Sequence, residues 1–500
     1  MLVSVTMEPK TGGLRFSGDR FPRANYFSII MKHRSPKIPL IARSTGLVAL
    51  TLLFLGSSVR AQSNFDWKQA SGAKLVVMLN KHPYADAIIK RLQEFKDLTG
   101  IDVETSETPE ENYFDKLTAA LASKNGTPDV FMTGTYQLWD YATAGYMESL
   151  DSYLKDPSQT NPEYDYTDIF EGVRNGGKWD LIPGHPTGTG SQWALPLGFE
   201  TNIIAYNKKY FDEKGLKPPK TFDELYTLAK QLKGWAGSGS YGVAVRGTRN
   251  WATIHPGYMT TFTNAGAKDF EIKDGKLVSD LADPKSIEVT KRWAQLIKDA
   301  GPPAWSNYTW YQCGADFGAG KAAILFDADI LGYFQNVPGG SAQAGNIAYS
   351  PPPVMKEGDS VGANEWIWQV AINKSSKSKK AAWLFVQYFT GKEHGTWAAI
   401  NASVVDPPRK SVWDNKDFQA VMAKMPGYLD TFNTIIANTS VKFTPQPYFS
   451  ESTTEWAATL QKIVLSGADP KSAMTDLAKR ITAKTSKLKL DQPQKTASTQ

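Results

Sequence analysis

KLVVMLNKHPYADAIIKRLQEFKDLTGIDVETSETPEENYFDKLTAALASKNGTPDVFMTG, residues 74–134, decides the fold. KLVVMLN (74–80) reads as a short buried strand. ADAIIKRLQEFKDLTG (85–100) follows with apolar residues at helical spacing and a glycine stop. IDVETSE is a second strand, NYFDKLTAALASKNG a second amphipathic helix, and PDVFMTG (128–134) a third strand. This alternation predicts an α/β fold with a parallel sheet and helices on both faces. In such sheets a small molecule sits beyond the carboxyl ends of the strands. His82, Pro83 and Tyr84 then share a rim with Thr133, Gly134 and Thr135.

Upstream, from Met31, MKHRSPKIPLIAR is a positively charged segment and TGLVALTLLFLG (45–56) an apolar one, followed by SSVRA-Q. The pattern predicts a secretory signal peptide cut near Ala61, behind an upstream extension, and hence a periplasmic protein. Twelve apolar residues fall short of the about 20 that span a bilayer. Residues 1–61 hold nine Lys and Arg against two acids. Of 56 basic and 50 acidic residues in all, 47 and 48 therefore remain, a net charge of −1. The basicity belongs to the leader, which argues against a nucleic-acid partner. The single cysteine, Cys313, cannot form an intrachain disulfide.

Downstream, GGKWDLIPGHPTGTGS (176–191) reads as a loop and WALPLGFETNIIAYN as a strand through Glu200. In TFDELYTLAKQLKG (221–234), Thr221 and Glu224 have capping-box spacing. YGVAVRGTRNW is a strand ending in Arg246, Arg249 and Trp251, and SIEVTKRWAQLIKDAG (286–301) a long helix. In FGAGKAAILFDADILGYF (317–334) a buried strand ends in two carboxylates, Asp327 and Asp329. WIWQVAINK (366–374) is a further strand and SKKAAWLFVQYFTG (378–391) an amphipathic helix. A polar tail, residues 491–500, reads as disordered.

Four of these blocks carry a resemblance. PDVF followed by GYMESLD (145–151), LGFETNIIAYNKKYFDEKGLKPPKTFDEL (197–225), FGAGKAAILFDADILGYF and VAINKSSKSKKAAWLFVQYFTG (370–391) stand in order at family spacing. Together they resemble extracellular solute-binding proteins of family 1, the maltose-binding-protein-like receptors of ABC importers, over roughly 73–485. The resemblance implies two α/β lobes of the periplasmic binding protein type (type II-like), joined by crossing hinge strands, with the ligand between them. Carried over by segment order, one lobe holds 62–198 and 328–364, and the other 199–327 and 365–490. Where maltose-type members place a Trp, this chain has DADIL, with Ile330 near the expected ring. That exchange of an aromatic platform for acids points away from maltodextrin and toward a smaller, enclosed, polyhydroxylated ligand.

Carboxylates accept two bonds, arginine donates in a planar fork, and indole faces pack on sugar C–H groups. The ligand-binding candidates are therefore His82, Glu200, Arg246, Trp251, Asp327, Asp329, Trp366, Trp368 and Arg409. Each has a competing reading. Asp327 and Asp329 share a side if the strand runs through both, or else cap a helix or form a salt bridge. One of Trp366 and Trp368 belongs to the core. Arg246 pairs with an acid, and His82 closes a turn. Arg409 is placed only by a late loop that resembles a ligand-presenting one.

The five histidines have no metal-ligand spacing, and no nucleophile elbow or phosphate loop occurs, so neither catalytic nor metal residues and no cofactor are expected. The resemblance implies a periplasmic, monomeric binder of a sugar or sugar alcohol that closes about a hinge and delivers its ligand to an inner-membrane ABC permease without chemistry. The alternatives are another polar solute (an oligosaccharide, a glycerol phosphate, an osmolyte) or, more distantly, a secreted glycoside hydrolase using Glu200 and Asp327.

Overall fold

The computed structural model describes residues 64–494. The expected signal peptide and upstream extension lie outside the described residues, as do 495–500. Within the expected tail, the Gln494 amide donates to the Leu181 carbonyl at 2.8 Å.

The first α/β units form as the alternation predicts. Strand β1 (Lys74–Asn80) pairs in parallel with β2 (Asp102–Thr108) and β3 (Val130–Gly134). The expected single helix 85–100 is two, α1 (Pro83–Lys90) and α2 (Leu92–Thr99), with Arg91 between them at φ −111° and ψ 13°. Helix α3 (Glu110–Ala122) buries Tyr113, Phe114, Leu117 and Leu121, the 3–4 spacing of an amphipathic helix. Helix α4 (Thr135–Thr143) starts directly at the end of β3. The expected loop 176–191 contains a small antiparallel ribbon, Lys178–Trp179 against Ser191–Gln192.

One strand organises the rest. Strand β4 (Ala194–Asn207) is 14 residues long, and all but Tyr206 are buried. A strand buried along almost its whole length has neighbours on both faces. Further along come β5 (Tyr241–Ala244), β6 (Ala322–Ala328), β7 (Ile347–Ser350) and β8 (Glu365–Ile372). The sheet runs β2-β1-β3-β8-β4-β6-β5, with β7 also on β4. The first half of β4, 194–201, pairs antiparallel with β8; its second half, 202–207, pairs with β6 and β7. The chain thus passes from one half-sheet (β1, β2, β3, β8) to the other (β5, β6, β7) at Thr201–Asn202.

Pairing reverses part of the expected segment assignment. β7, within 328–364, pairs with the second half of β4 in the second half-sheet, and β8, within 365–490, lies beside β3 in the first. Segment order alone does not say which half a returning strand joins; hydrogen-bond partners do. The helix after β8, α5 (Lys379–Phe389), packs on β8 and β1. Helix α6 (Phe449–Leu465) touches elements of both halves, including α4 and the helix Pro284–Ala300.

Candidate functional site

Side chains from both half-sheets converge where β4 and β8 cross. His82 and Glu110, at the starts of α1 and α3, come from the first half. Arg246, Trp251 and His255 follow β5, and Trp310 begins the helix Trp310–Gly318, all in the second half. Glu200 on β4 and Trp366 and Trp368 on β8 stand at the crossing itself. Together with Ile330 and Leu331 they border about 290 Å³ of space between atoms, part of it open to solvent. The space is narrow, admitting about one water-sized sphere with the rings as they stand.

The walls are aromatic. Trp251 and Trp366 have ring centroids 4.8 Å apart, Trp366 and Trp368 5.1 Å apart at 86°, and His255 stacks on Trp251 at 5.6 Å. Both β8 tryptophans are buried in the hydrophobic core and both border the cavity. Alternation along the strand sets them on one face, and the bulge follows Trp368. Trp366 needs Gly134 beneath it: a Cβ there would lie 1.8 Å from the indole ring.

The polar groups are few and held. Arg246 sends Nε to both oxygens of Asp327, at 3.1 and 3.0 Å, Nη2 to Oδ1 at 2.6 Å, and Nη1 to His255 Nε2 at 3.1 Å. Burial opposes the arginine's charge, and Asp327 outweighs it, so its pKa rises. Burial and the adjacent guanidinium drive His255 far below the usual range, leaving the ring neutral. With Nε2 accepting from Arg246, the proton sits on Nδ1, which has no partner among the described residues.

Trp368 Nε1 donates to Glu200 Oε1 at 2.8 Å. Burial raises Glu200 well above the carboxylate range, opposed by Arg246 and by the Trp368 bond. Burial also pushes Glu110 up to about 7 and His82 down to about 3. His82 closes the turn, as one reading had it, and also borders the cavity. It caps α1, with Nδ1 accepting from Tyr84 N at 3.4 Å, and its Nε2 lies 3.8 Å from Glu200 Oε1. Neutral His82, His255 and Glu200 thus stand beside a paired Arg246, donors and acceptors that hydroxyl groups can match.

Six of the nine expected residues line the cavity: His82, Glu200, Arg246, Trp251, Trp366 and Trp368. Asp327 does not; its side chain is wholly buried and acts through Arg246. Asp329 and Arg409 are corrections. The strand ends at Ala328 and Asp329 opens the helix Asp329–Asn336, so the two acids do not share a strand face. Asp329 accepts from Thr201 N, Thr201 Oγ1 and Tyr428 Oη at 3.1, 2.6 and 3.0 Å. Arg409 is 1 % exposed and tied to the Thr390 and Asp165 carbonyls and to Asp168. Its loop is a structural clasp.

Sequence reasoning missed Glu110, His255, Trp310 and Leu331. Glu110 was accessible to it, because the residue opens the helix after β2 on the rim that holds His82. Nothing local marks His255 or Trp310.

The chain matches the family model described as bacterial extracellular solute-binding protein over residues 81–396. It is 42% identical over 421 residues to the erythritol/L-threitol-binding protein of Mycolicibacterium smegmatis, covering 84% of this chain and 87% of that one. It is 28% identical over 300 residues to the mannitol-binding protein of Pseudomonas aeruginosa, covering 59% and 63%. Among solved structures, an ABC transporter solute-binding protein of Agrobacterium radiobacter in complex with ribitol superposes with TM-score 0.71 at 22% identity, over 84% of this chain and 99% of that one. One from Agrobacterium vitis with bound D-mannitol gives 0.69 at 24%, over 82% and 97%. At these identities the superpositions show the fold, the two-lobed periplasmic binding protein type.

Proposed function

Because the chain belongs to the bacterial extracellular solute-binding protein family, we propose that it captures a short alditol, four to six carbons long, and presents it to an ABC importer at the inner membrane. The observation that carries this reading is the cavity at the crossing of β4 and β8, lined from both half-sheets by tryptophan faces, an arginine already neutralised by Asp327, and the Glu200 carboxyl, whose protonated form burial favours. The paired Arg246 leaves no free cation for a phosphate. The alditol named for the 42% identical relative supports a tetritol first.

Capture proceeds by hinge closure. The strands that join the halves, β4 near Thr201 and β8 after its long connection from β7, are the segments about which the halves rotate. Opening parts Trp251, Arg246 and Trp310 from His82, Glu110 and the β8 indoles; closing returns them around the ligand and expels water. A glycosidase would need two carboxyls flanking a scissile bond, and Asp327 is engaged by Arg246.

A thermal-shift and calorimetric screen over tetritols, pentitols, hexitols, aldoses and disaccharides tests the reading. At 100 times Kd, linkage adds about 2.7 kcal/mol to stability, so one alditol class is expected to raise Tm by a few degrees. No shift with any alditol, or release of product from a chromogenic glycoside, would sink it.

A further inference from the structure

Glu110 and Trp251 border the cavity on one side and, on the other, a second and wider recess of about 1370 Å³, part of it open to solvent. Five carboxylates line this recess, Glu110, Glu111, Asp115, Asp140 and Glu451, against one cation, Arg249. Phe114, Tyr146 and Tyr448 add ring surface. Acids alone would be a solvated face. Gln137 makes the difference: it borders the recess, is 2 % exposed, and neither its Oε1 nor its Nε2 has a hydrogen-bond partner. A buried amide left unpaired is costly. Asp140 is partly held, its carboxyl bonded by Ser450 Oγ at 2.7 Å and by the Phe449 and Ser450 backbone N–H groups, while Oδ1 has no partner of its own. Burial pushes its carboxyl up to about 6.

We propose that this recess receives the protonated amine of an aminated polyol whose hydroxylated chain lies in the alditol cavity. The assignment rests on the alditol reading above and extends its ligand class. An ammonium donates three charge-assisted bonds, for which the carboxylates of α3 and, behind them, the unpartnered amide of Gln137 offer acceptors at the recess, and aromatic faces add cation–π attraction. A cleft walled by one sign of charge also concentrates the opposite sign. The same wall rejects sugar acids and polyol phosphates, discriminating by repulsion as well as attraction.

Calorimetry at low and high salt tests this with sorbitol against glucamine, threitol against its amino analogue, and gluconate, on the wild type and on the double variant Glu111→Gln/Asp115→Asn. In at least one pair the amine is expected to bind about tenfold tighter than its parent, worth about 1.4 kcal/mol. High salt and the double variant should reduce that advantage to about twofold or less, the variant leaving the neutral parent's affinity unchanged, and gluconate should bind more weakly than sorbitol. Equal binding within both pairs, or an amine preference that persists in the double variant, overturns the recess assignment and leaves the alditol reading standing. Failure of every neutral alditol to bind overturns the alditol reading instead, and binding by neither class overturns both.

Discussion

Nη2 of Arg246 lies 2.6 Å from Oδ1 of Asp327, and both groups are buried, the arginine at a cavity wall and the acid behind it. The pair crosses from the end of β6 to the turn after β5, so Asp327 fixes where the guanidinium presents its remaining donors. Removing one partner of a buried pair typically costs about 3–5 kcal/mol, whereas replacing both by apolar groups is near neutral. Asp327→Ala is therefore expected to lower unfolding free energy by about that amount in urea titration. Arg246→Met/Asp327→Leu should recover most of the stability and still fail to bind alditols. A stable, binding-competent Asp327→Ala protein would refute the positioning role.

Glu200 differs, because burial favours its protonated form. Glutamine mimics a protonated carboxyl and keeps an acceptor for Trp368 Nε1. Glu200→Gln should leave Tm nearly unchanged and alditol affinity within about fivefold, roughly 1 kcal/mol. Glu200→Leu, which strands the indole N–H, should lose about 1–3 kcal/mol of stability. Loss of all binding in Glu200→Gln would mean that the ligand needs a carboxylate.

Glu365 gives a pH signature away from the cavity. It is 3 % exposed, and burial raises it from 4.5 to about 7 against the opposing charge of Lys442. A carboxyl whose folded pKa exceeds its unfolded one costs nothing below pH 4.5 and destabilises increasingly up to about pH 7. At 1.36 kcal/mol per pH unit the loss reaches about 3 kcal/mol. The stability advantage of Glu365→Gln over wild type should accordingly grow between pH 4.5 and 7 and then level off. A difference that does not change with pH would show that Glu365 titrates normally.

Asp329 is a structural acid. Tyr428 Oη lies 3.0 Å from Asp329 and 2.7 Å from Asp406, and Thr201 on β4 donates twice to Asp329. Asp329→Ala leaves several buried groups unpaired and should cost at least about 2 kcal/mol. The protein that remains folded in the cold should bind its alditol within about tenfold of wild type, because Asp329 does not line the cavity. Normal stability with abolished binding would restore it to the site.

Residues 74–134 carried their own fold. Alternating apolar runs and helical spacings are local, and β1, β2, β3 and their helices form where those patterns place them, apart from the break at Arg91, as does the capping box at Thr221 and Glu224. The sequence alone also located the rim holding His82 and the tryptophan pair on β8, because period-two alternation and the carboxyl ends of parallel strands are local geometry too. What it left open depends on partners far along the chain. Only the tertiary structure decided that β7 and β8 join opposite half-sheets, that Asp327 belongs to Arg246 and Asp329 to Thr201 and Tyr428, and that Glu110, His255 and Trp310 complete the cavity. Strand pairing and the burial of charge are settled by groups some 80 to 130 residues apart in sequence, and no window along the chain contains both members of such a pair.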